Sequence, residues 1–268
     1  MDALREVLET PSTHVPKYAA PIGLSREGIF RIASEKNEPQ WVTDKRLLAF
    51  EHLLSSDRPS FGPSLDALDL SKITFFVQPN SAEHRTWDDV PEEIRGTFEK
   101  LGIPKAERNG LAGVGAQYDS EMVYHNLQKD LADQGVFFLN MDVAVREHEE
   151  LVREHFMTNC VPIHDHYFAM LHAAVWSGGT FIYVPKGAKV TIPLQAYFRM
   201  NAERGGQFEH TLIIADEGSE VHYIEGCSAP KYDSSALHAG CVEIHVKKNA
   251  TVRYTSIENW SKNTFNLN

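Results

Sequence analysis

Three stretches of this chain align without a gap: "TFIYVPKGAKVTIPLQAYF" (180–198), "TLIIADEGSEVHYIEGCSA" (211–229) and "VEIHVKKNATVRYTSIENW" (242–260). Gly187, Gly218 and Asn249 fall in them at equal steps of 31 residues. Each unit reads as strand, tight turn, strand, and a unit this short buries its apolar face only by stacking on its neighbours. Glycine or asparagine at the turn suits a backbone that needs positive φ. From about residue 177 the period therefore predicts a β-helix or solenoid, with an ordinary β-sandwich of coincidental spacing as the competing architecture. Within the units Ile182, Ile213 and Ile244 superpose, as do Val190, Val221 and Val252, and Ile192, Tyr223 and Tyr254, which defines an inward face.

Strand parity carries that face further. Side chains alternate along a strand, so the residues two and four places beyond Tyr223 share its direction, and the second of these is Cys227. The thiol is expected in the lumen, with Ala196 and Glu258 at the same place in the flanking units. A buried carboxylate is costly unless paired, ligated or protonated. A bend at Gly226 would instead turn both side chains to solvent.

The first part of the chain has a different texture. "SREGIFRIASEKN" opens with a capping serine, and "EPQWVTDKRLLAFEHLLSS" spaces Trp41, Leu47, Leu48, Leu53 and Leu54 on a helical stripe. "SSDRPSFGPSLDALDL" and "QPNSAEHRTWDDVP" read as irregular segments. "DSEMVYHNLQKDLADQG" and "DVAVREHEELVREHF" read as further helices, with "VFFLN" between them as a strand. The fold expectation is α+β: a mainly helical region over 1–160, then over 161–268 the first coils of a β-helix that is incomplete at its C-terminal end.

Composition excludes several classes. A net charge of −11 with no Lys/Arg block argues against a nucleic-acid surface or an anionic-membrane anchor. The N-terminus lacks the basic start and apolar run of a signal peptide, and no window holds the roughly 18 apolar residues of a membrane span. A cytoplasmic protein is expected. Cys160, Cys227 and Cys241 are an odd set without a CxxC pair, so reduced thiols are expected rather than a disulfide framework or zinc knuckle.

"AVWSGGTFIYVPKGAKVTIPLQAYFRMN", "GQFEHTLIIADEGSEVHYIEGCSAP" and "IENWS" give the chain its resemblance to the SufB/SufD family of iron–sulfur cluster assembly scaffolds, in its SufB branch. "RNGLAGVGAQY" and "QYDSEMVYHNL" extend the likeness upstream, so that it covers about 101–268 well and the first hundred residues more loosely. The resemblance implies a right-handed β-helix core and a complex with a SufC-like ATPase and a SufD-like paralogue. It implies that Cys227 accepts persulfide sulfur from a cysteine desulfurase, directly or through a sulfur-transfer protein. Arg199 and Asn201 in "YFRMN", together with Trp260, match residues along the family's sulfur path, and Glu258 stands where the family usually has Gln. A transient iron–sulfur cluster, and reduced flavin in the full complex, are the implied cofactors. The family sequence continues beyond "NTFNLN" through more coils and a helical region, so a truncated or split product is expected, without the second cysteine, the cluster-ligand region and the SufC-docking helices. "CVPIHDHYF" and Cys241 are further departures from the family pattern.

Sulfur transfer needs a thiolate, and a thiol of pKa about 8.5 is mostly protonated at neutral pH. Arg199 is the candidate cation to favour the thiolate, whereas an ionised Glu258 would oppose it. Without the family likeness, an inert buried cysteine would be the simpler reading of Cys227. His164 and His166 in "HDHYF" would make a His-x-His metal pair if they lay on a strand, with His155 and Cys160 nearby. The leading reading is thus a non-enzymatic assembly scaffold, and the alternative is a metal-dependent β-helix enzyme using His164 and His166. A purely structural SufD-like subunit would lack the cysteine of "EGCSAP". The glycines of "RNGLAGVGAQY" lack the lysine of a phosphate-binding loop.

Overall fold

The computed structural model describes residues 9–101 and 110–268, which leaves the first eight positions of the N-terminal stretch and 108–109 of the glycine run outside the description. A helix spans Arg26–Lys36: Ser25 caps it, its Oγ accepting from Gly28 N at 3.0 Å, and Asn37 ends it in the left-handed region at φ 46°. The next helix, Gln40–Leu54, buries Val42, Arg46, Ala49, Phe50 and Leu53 against the helix Tyr167–Val175. This corrects the expected stripe, since Leu48 and Leu54 are exposed. The physical reason is Arg46. A pattern reading treats it as a surface residue, but its guanidinium pairs with Glu38 at 2.9 Å and lies over the Trp176 ring, so it occupies the middle of the buried face.

Strands run through both halves of the sequence. In chain order they are β1 (Tyr18–Ala19), β2 (Val77–Gln78), β3 (Gly113–Tyr118), β4 (Glu121–Leu127), β5 (Phe137–Asn140), β6 (Thr180–Val184), β7 (Lys189–Arg199), β8 (Gly206–Gln207), β9 (His210–Ala215), β10 (Glu220–Ser228), β11 (Ala236–His238), β12 (Cys241–Val246), β13 (Thr251–Asn259) and β14 (Thr264–Asn266). "VFFLN" is indeed a strand, whereas "DSEMVYHNL" is not the expected helix. Glu121–Leu127 pairs antiparallel with β3 across a turn at Asp119, φ 51°, and only Lys129–Asp133 is helical. Val123 and Tyr124 suit a strand, and β3 runs parallel beside β7, so a sheet edge was available to pull the segment out of helix. "DVAVREHEELVREHF" forms two helices, Met141–Glu147 and Glu149–His155.

The repeat governs the rest. The sheets are ordered β13-β10-β7-β3-β4, β12-β9-β6-β5 and β14-β11-β8, with the small pair β1-β2 apart. Each 31-residue unit therefore gives one strand to each of three sheets, and the strands of successive units pair in parallel. The turns at Gly187, Gly218 and Asn249 have φ of 75°, 70° and 59°, as their residue types predict. Val190, Val221 and Val252 share one column, and Ile182, Ile213 and Ile244 another. One column differs. Tyr223 lies beside Leu194 rather than Ile192, because β7 carries two extra residues between Val190 and Leu194, next to Pro193, which cannot donate to a ladder. Ile192 is consequently 42% exposed, Ala196 faces Glu225, and the neighbour of Cys227 on β7 is Phe198.

The inner side chains Val190, Leu194, Phe198, Ile213, Val221 and Tyr223 form one core with Cys227. On the other face of the β6-β9 sheet, Phe181, Leu212 and Ile214 pack against Trp176, Phe156 and Leu171 from the helical side. Alternation along each strand thus serves two cores, which makes the fold α+β.

Candidate functional site

Cys227 is 2% exposed, so the strand does not bend its thiol out to solvent at Gly226. The side chain on its own face two residues back is Glu225, also buried, and the thiol donates to Glu225 Oε1 at 3.9 Å. Three hydroxyls hold that carboxylate: Thr211 Oγ1 donates at 2.8 Å, and Tyr223 OH and Tyr254 OH each donate at 3.1 Å. Burial, reinforced by the charge of Glu209, nevertheless raises the Glu225 pKa to about 7 against the pull of those hydroxyls.

A second pair enters from another sheet. His238, at the end of β11, donates from Nε2 to Glu209 Oε1, and its Nδ1 meets Asn266 Oδ1 at 2.7 Å. Burial lowers the His238 pKa, but Glu209 beside it and the two hydrogen bonds outweigh that, so it lies above its ordinary value. The Trp260 indole lies against His238, tilted by 31° with 4.3 Å between ring centres, and its Nε1 donates to Glu258 Oε2 at 3.2 Å. Sequence reasoning did not reach Glu225, Glu209 or His238. Glu225 was within reach, being the other residue that shares the parity of Tyr223 and Cys227. The column that holds His238 was legible only by extending the period, since Gln207 and His238 are paired across the same 31-residue step outside the aligned stretches.

The expected site residues divide. Glu258 pairs in register with Cys227, as the repeat predicts, and its charge acts on the thiol. Its side chain is exposed, and Trp260, Asn266 and Ser256 donate to it, holding its pKa below the usual range despite the opposing effect of burial. Arg199 and Asn201 are not beside the thiol, which corrects the role of Arg199 as its cation. The register puts Arg199 next to Ser228, on the opposite face from Phe198 and Cys227, and its guanidinium donates to Thr10 O at 3.1 Å. Asn201 accepts from Ser12 N at 2.9 Å, and its own N–H donates to Asp119 Oδ1 at 2.6 Å. Around Cys227 the charges are carboxylates instead: burial first, then Glu225, Glu209 and Glu258, push the thiol well up.

His164 and His166 are not on a strand. His166 caps the helix Tyr167–Val175, its Nδ1 accepting from Phe168 N at 3.1 Å, while the His164 ring faces His52. Among the described residues, the groups of His, Cys and acidic side chains close enough to share a metal ion include neither histidine. The condition for the metal-dependent reading is therefore not met at that pair. Cys160 is exposed, and Cys241 lies on the helix-facing side of β12 with Glu243, away from Ile244. No helix among the described residues is long and apolar enough to cross a membrane.

Two family models match in succession: the SufBD protein N-terminal region over 115–196, and the SUF system FeS cluster assembly SufBD core domain over 198–268. The chain is 53% identical over 245 residues to the iron–sulfur cluster assembly protein SufB of Bacillus subtilis, covering 91% of this chain and 52% of that protein. An iron–sulfur cluster assembly SufBD family protein of Staphylococcus epidermidis is 54% identical over the same shares, and one of Staphylococcus aureus 53%. The chain thus spans about half the length of the curated relatives it matches. With β10, which carries Cys227, lying inside a matched core domain, the chain belongs to the SufB/SufD family of the SUF iron–sulfur assembly system.

Proposed function

We propose that this chain serves as a scaffold subunit in iron–sulfur cluster assembly, not as an enzyme, and that Cys227 accepts sulfur. The observation that carries the reading is a reduced cysteine on the inner face of the repeat, with a carboxylate of pKa about 7 able to receive its proton. Glu225 supplies what Arg199 does not. A base whose pKa lies near the working pH takes a proton at least cost. As Cys227 Sγ attacks the outer sulfur of a donor persulfide, its proton passes to Glu225 Oε1. A new S–S bond forms on Cys227, the donor's S–S bond breaks, and the donor leaves as a thiolate, with no net oxidation.

The stack of parallel strands is read here as the first coils of a right-handed β-helix. Its partners in this reading are a SufC-like ATPase, a SufD-like paralogue, a cysteine desulfurase and a sulfur-transfer protein. The cargo is a transient iron–sulfur cluster, reduced flavin is the electron source of the full complex, and the location is the cytoplasm. Family membership in the SUF iron–sulfur assembly system supports this reading. Arg199 and Asn201, off the inner face, are assigned to anchoring the segment around Ser12 rather than to handling sulfur.

The test is sulfur loading with a desulfurase, its transfer protein and labelled cysteine. Wild type, Cys160→Ser and Cys241→Ser should carry label and Cys227→Ser should not. Label on a folded Cys227→Ser chain at the wild-type level would overturn the assignment.

A further inference from the structure

Beside Cys227 three buried side chains converge from different parts of the repeat: Cys227 from β10, His238 from β11, and Glu209 from the segment between β8 and β9. One donor atom from each lies within 4.8 Å of the other two. We infer that Glu209, Cys227 and His238 together bind one thiophilic divalent cation of the ferrous or zinc class. The inference does not rest on sulfur acceptance by Cys227.

The donor set comes first. A thiolate, an imidazole nitrogen and a carboxylate oxygen suit zinc or ferrous ions, whereas magnesium and calcium take oxygen ligands. The outer contacts are those of a ligating histidine. Asn266 Oδ1 engages Nδ1, which turns Nε2 toward the cluster and fixes the tautomer. Unspent hydrogen-bonding capacity points the same way. Glu209 Oε2 is buried without a hydrogen-bond partner, and so are both polar atoms of the Gln207 side chain, which shares a column with His238. A buried polar atom left unpaired is costly, and a bound ion is one standard explanation.

Charge completes the argument. Glu209 shares the cluster with the thiol, Glu225 accepts its hydrogen bond and Glu258 lies in register beside it, and a dication offsets that concentration of carboxylates. On binding, the cation takes the place of the proton shared by His238 and Glu209, and the thiol releases its own. Bonds of 2.0–2.3 Å at tetrahedral angles set ligand atoms about 3.5 Å apart, so side-chain shifts of about 1 Å suffice. Three protein ligands leave a fourth position open to an incoming sulfur or water. The groups His172–His210–Cys241 and Cys160–Glu243–His245 also come close. There, however, Glu243 already accepts at both oxygens, from Val161 N, Met157 N and His210 Nε2, and the ring nitrogens of His172 and His210 all have partners, whereas Glu209 Oε2 has none.

The full chain, stripped with chelator and kept anaerobic, is titrated with cobalt(II). One equivalent should bind with a thiolate-to-cobalt charge-transfer band, and zinc should displace it. Glu209→Gln and His238→Gln should weaken binding tenfold or more, Cys227→Ser should abolish the band, and the double variant Cys160→Ser/Cys241→Ser should leave it unchanged. X-ray absorption at the cobalt edge should find one sulfur in an otherwise N/O shell. That measurement on wild type and the double variant decides the matter even where Cys227→Ser fails to fold. Absence of binding, a shell without sulfur, or a band lost in the double variant would overturn the site. Loss of sulfur loading with the band intact would count only against the acceptor role.

Discussion

Glu225 and Cys227 lie two residues apart on β10, face the same way, and share a hydrogen bond in which the thiol donates to the carboxylate at 3.9 Å. The two groups therefore titrate against each other, and each bears on what the other does.

Removing the carboxylate should separate proton acceptance from charge. In metal-free protein lacking Cys160 and Cys241, Glu225→Gln should lower the pH midpoint of Cys227 alkylation, because a negative charge beside the thiolate is gone. Glu258→Gln should lower it less, since Glu258 stands after Glu225 and Glu209 in its effect. Glu225→Gln should nonetheless slow sulfur loading near pH 7. Faster loading in that variant would show that Glu225 is not the base.

The same carboxylate sets a pH dependence of stability. Its folded pKa, about 7, lies above the ordinary 4.5, so between those values the folded state holds a proton that the unfolded state has lost. Stability from this group thus falls as pH rises through that window, by about 3 kcal/mol in all. Asp119, raised to about 6 chiefly by burial, acts in the same direction. His125 and His172, held neutral by burial, pull the opposite way below pH 6.5. Denaturant melts of wild type and Glu225→Gln across pH 5–8 isolate the first contribution. The variant should gain on wild type as pH rises, and a constant difference would mean that the carboxyl is not buried as described.

Lys36 ties the first helix to the sheet side of the molecule. Its ammonium sits between Asp142 at 2.6 Å and Glu121 at 2.8 Å and also donates to Ser120 O at 2.9 Å. Lys36→Ala leaves two carboxylates facing each other in the interior and should cost about 3–5 kcal/mol by chemical denaturation. A change under 1 kcal/mol would show that the pair is hydrated.

Two glycines should respond differently to alanine. At Gly179, φ 101°, an added Cβ would lie 2.2 Å from the backbone oxygen of His210, so Gly179→Ala must push β9 away and should cost at least about 3 kcal/mol. Gly187 meets nothing within 4 Å, so Gly187→Ala carries only the cost of positive φ, about 1 kcal/mol. Asn249 occupies the equivalent turn at φ 59°, so Gly187→Asn should cost still less. Thermal melts that rank these three otherwise would contradict the turn geometry.

Much of the fold was written in the chain because its determinants are local or periodic. The 31-residue step, the turn residues that accept positive φ and the alternation along β10 placed the valine column, the isoleucine column and the inward thiol without reference to any partner strand. Tertiary structure decided what depends on register and on distant chain. Two extra residues in β7 moved Ile192 out of its column and Phe198 beside Cys227, which no gapless alignment reveals. Parity alone sent Arg199 to the far face, although its sequence neighbourhood matched the sulfur path. Glu121–Leu127 became a strand because β3 offered an edge. Glu209 and His238 reached the thiol through a third sheet of two- and three-residue strands, too short to leave a hydrophobic period, so only folding could bring their charges to Cys227.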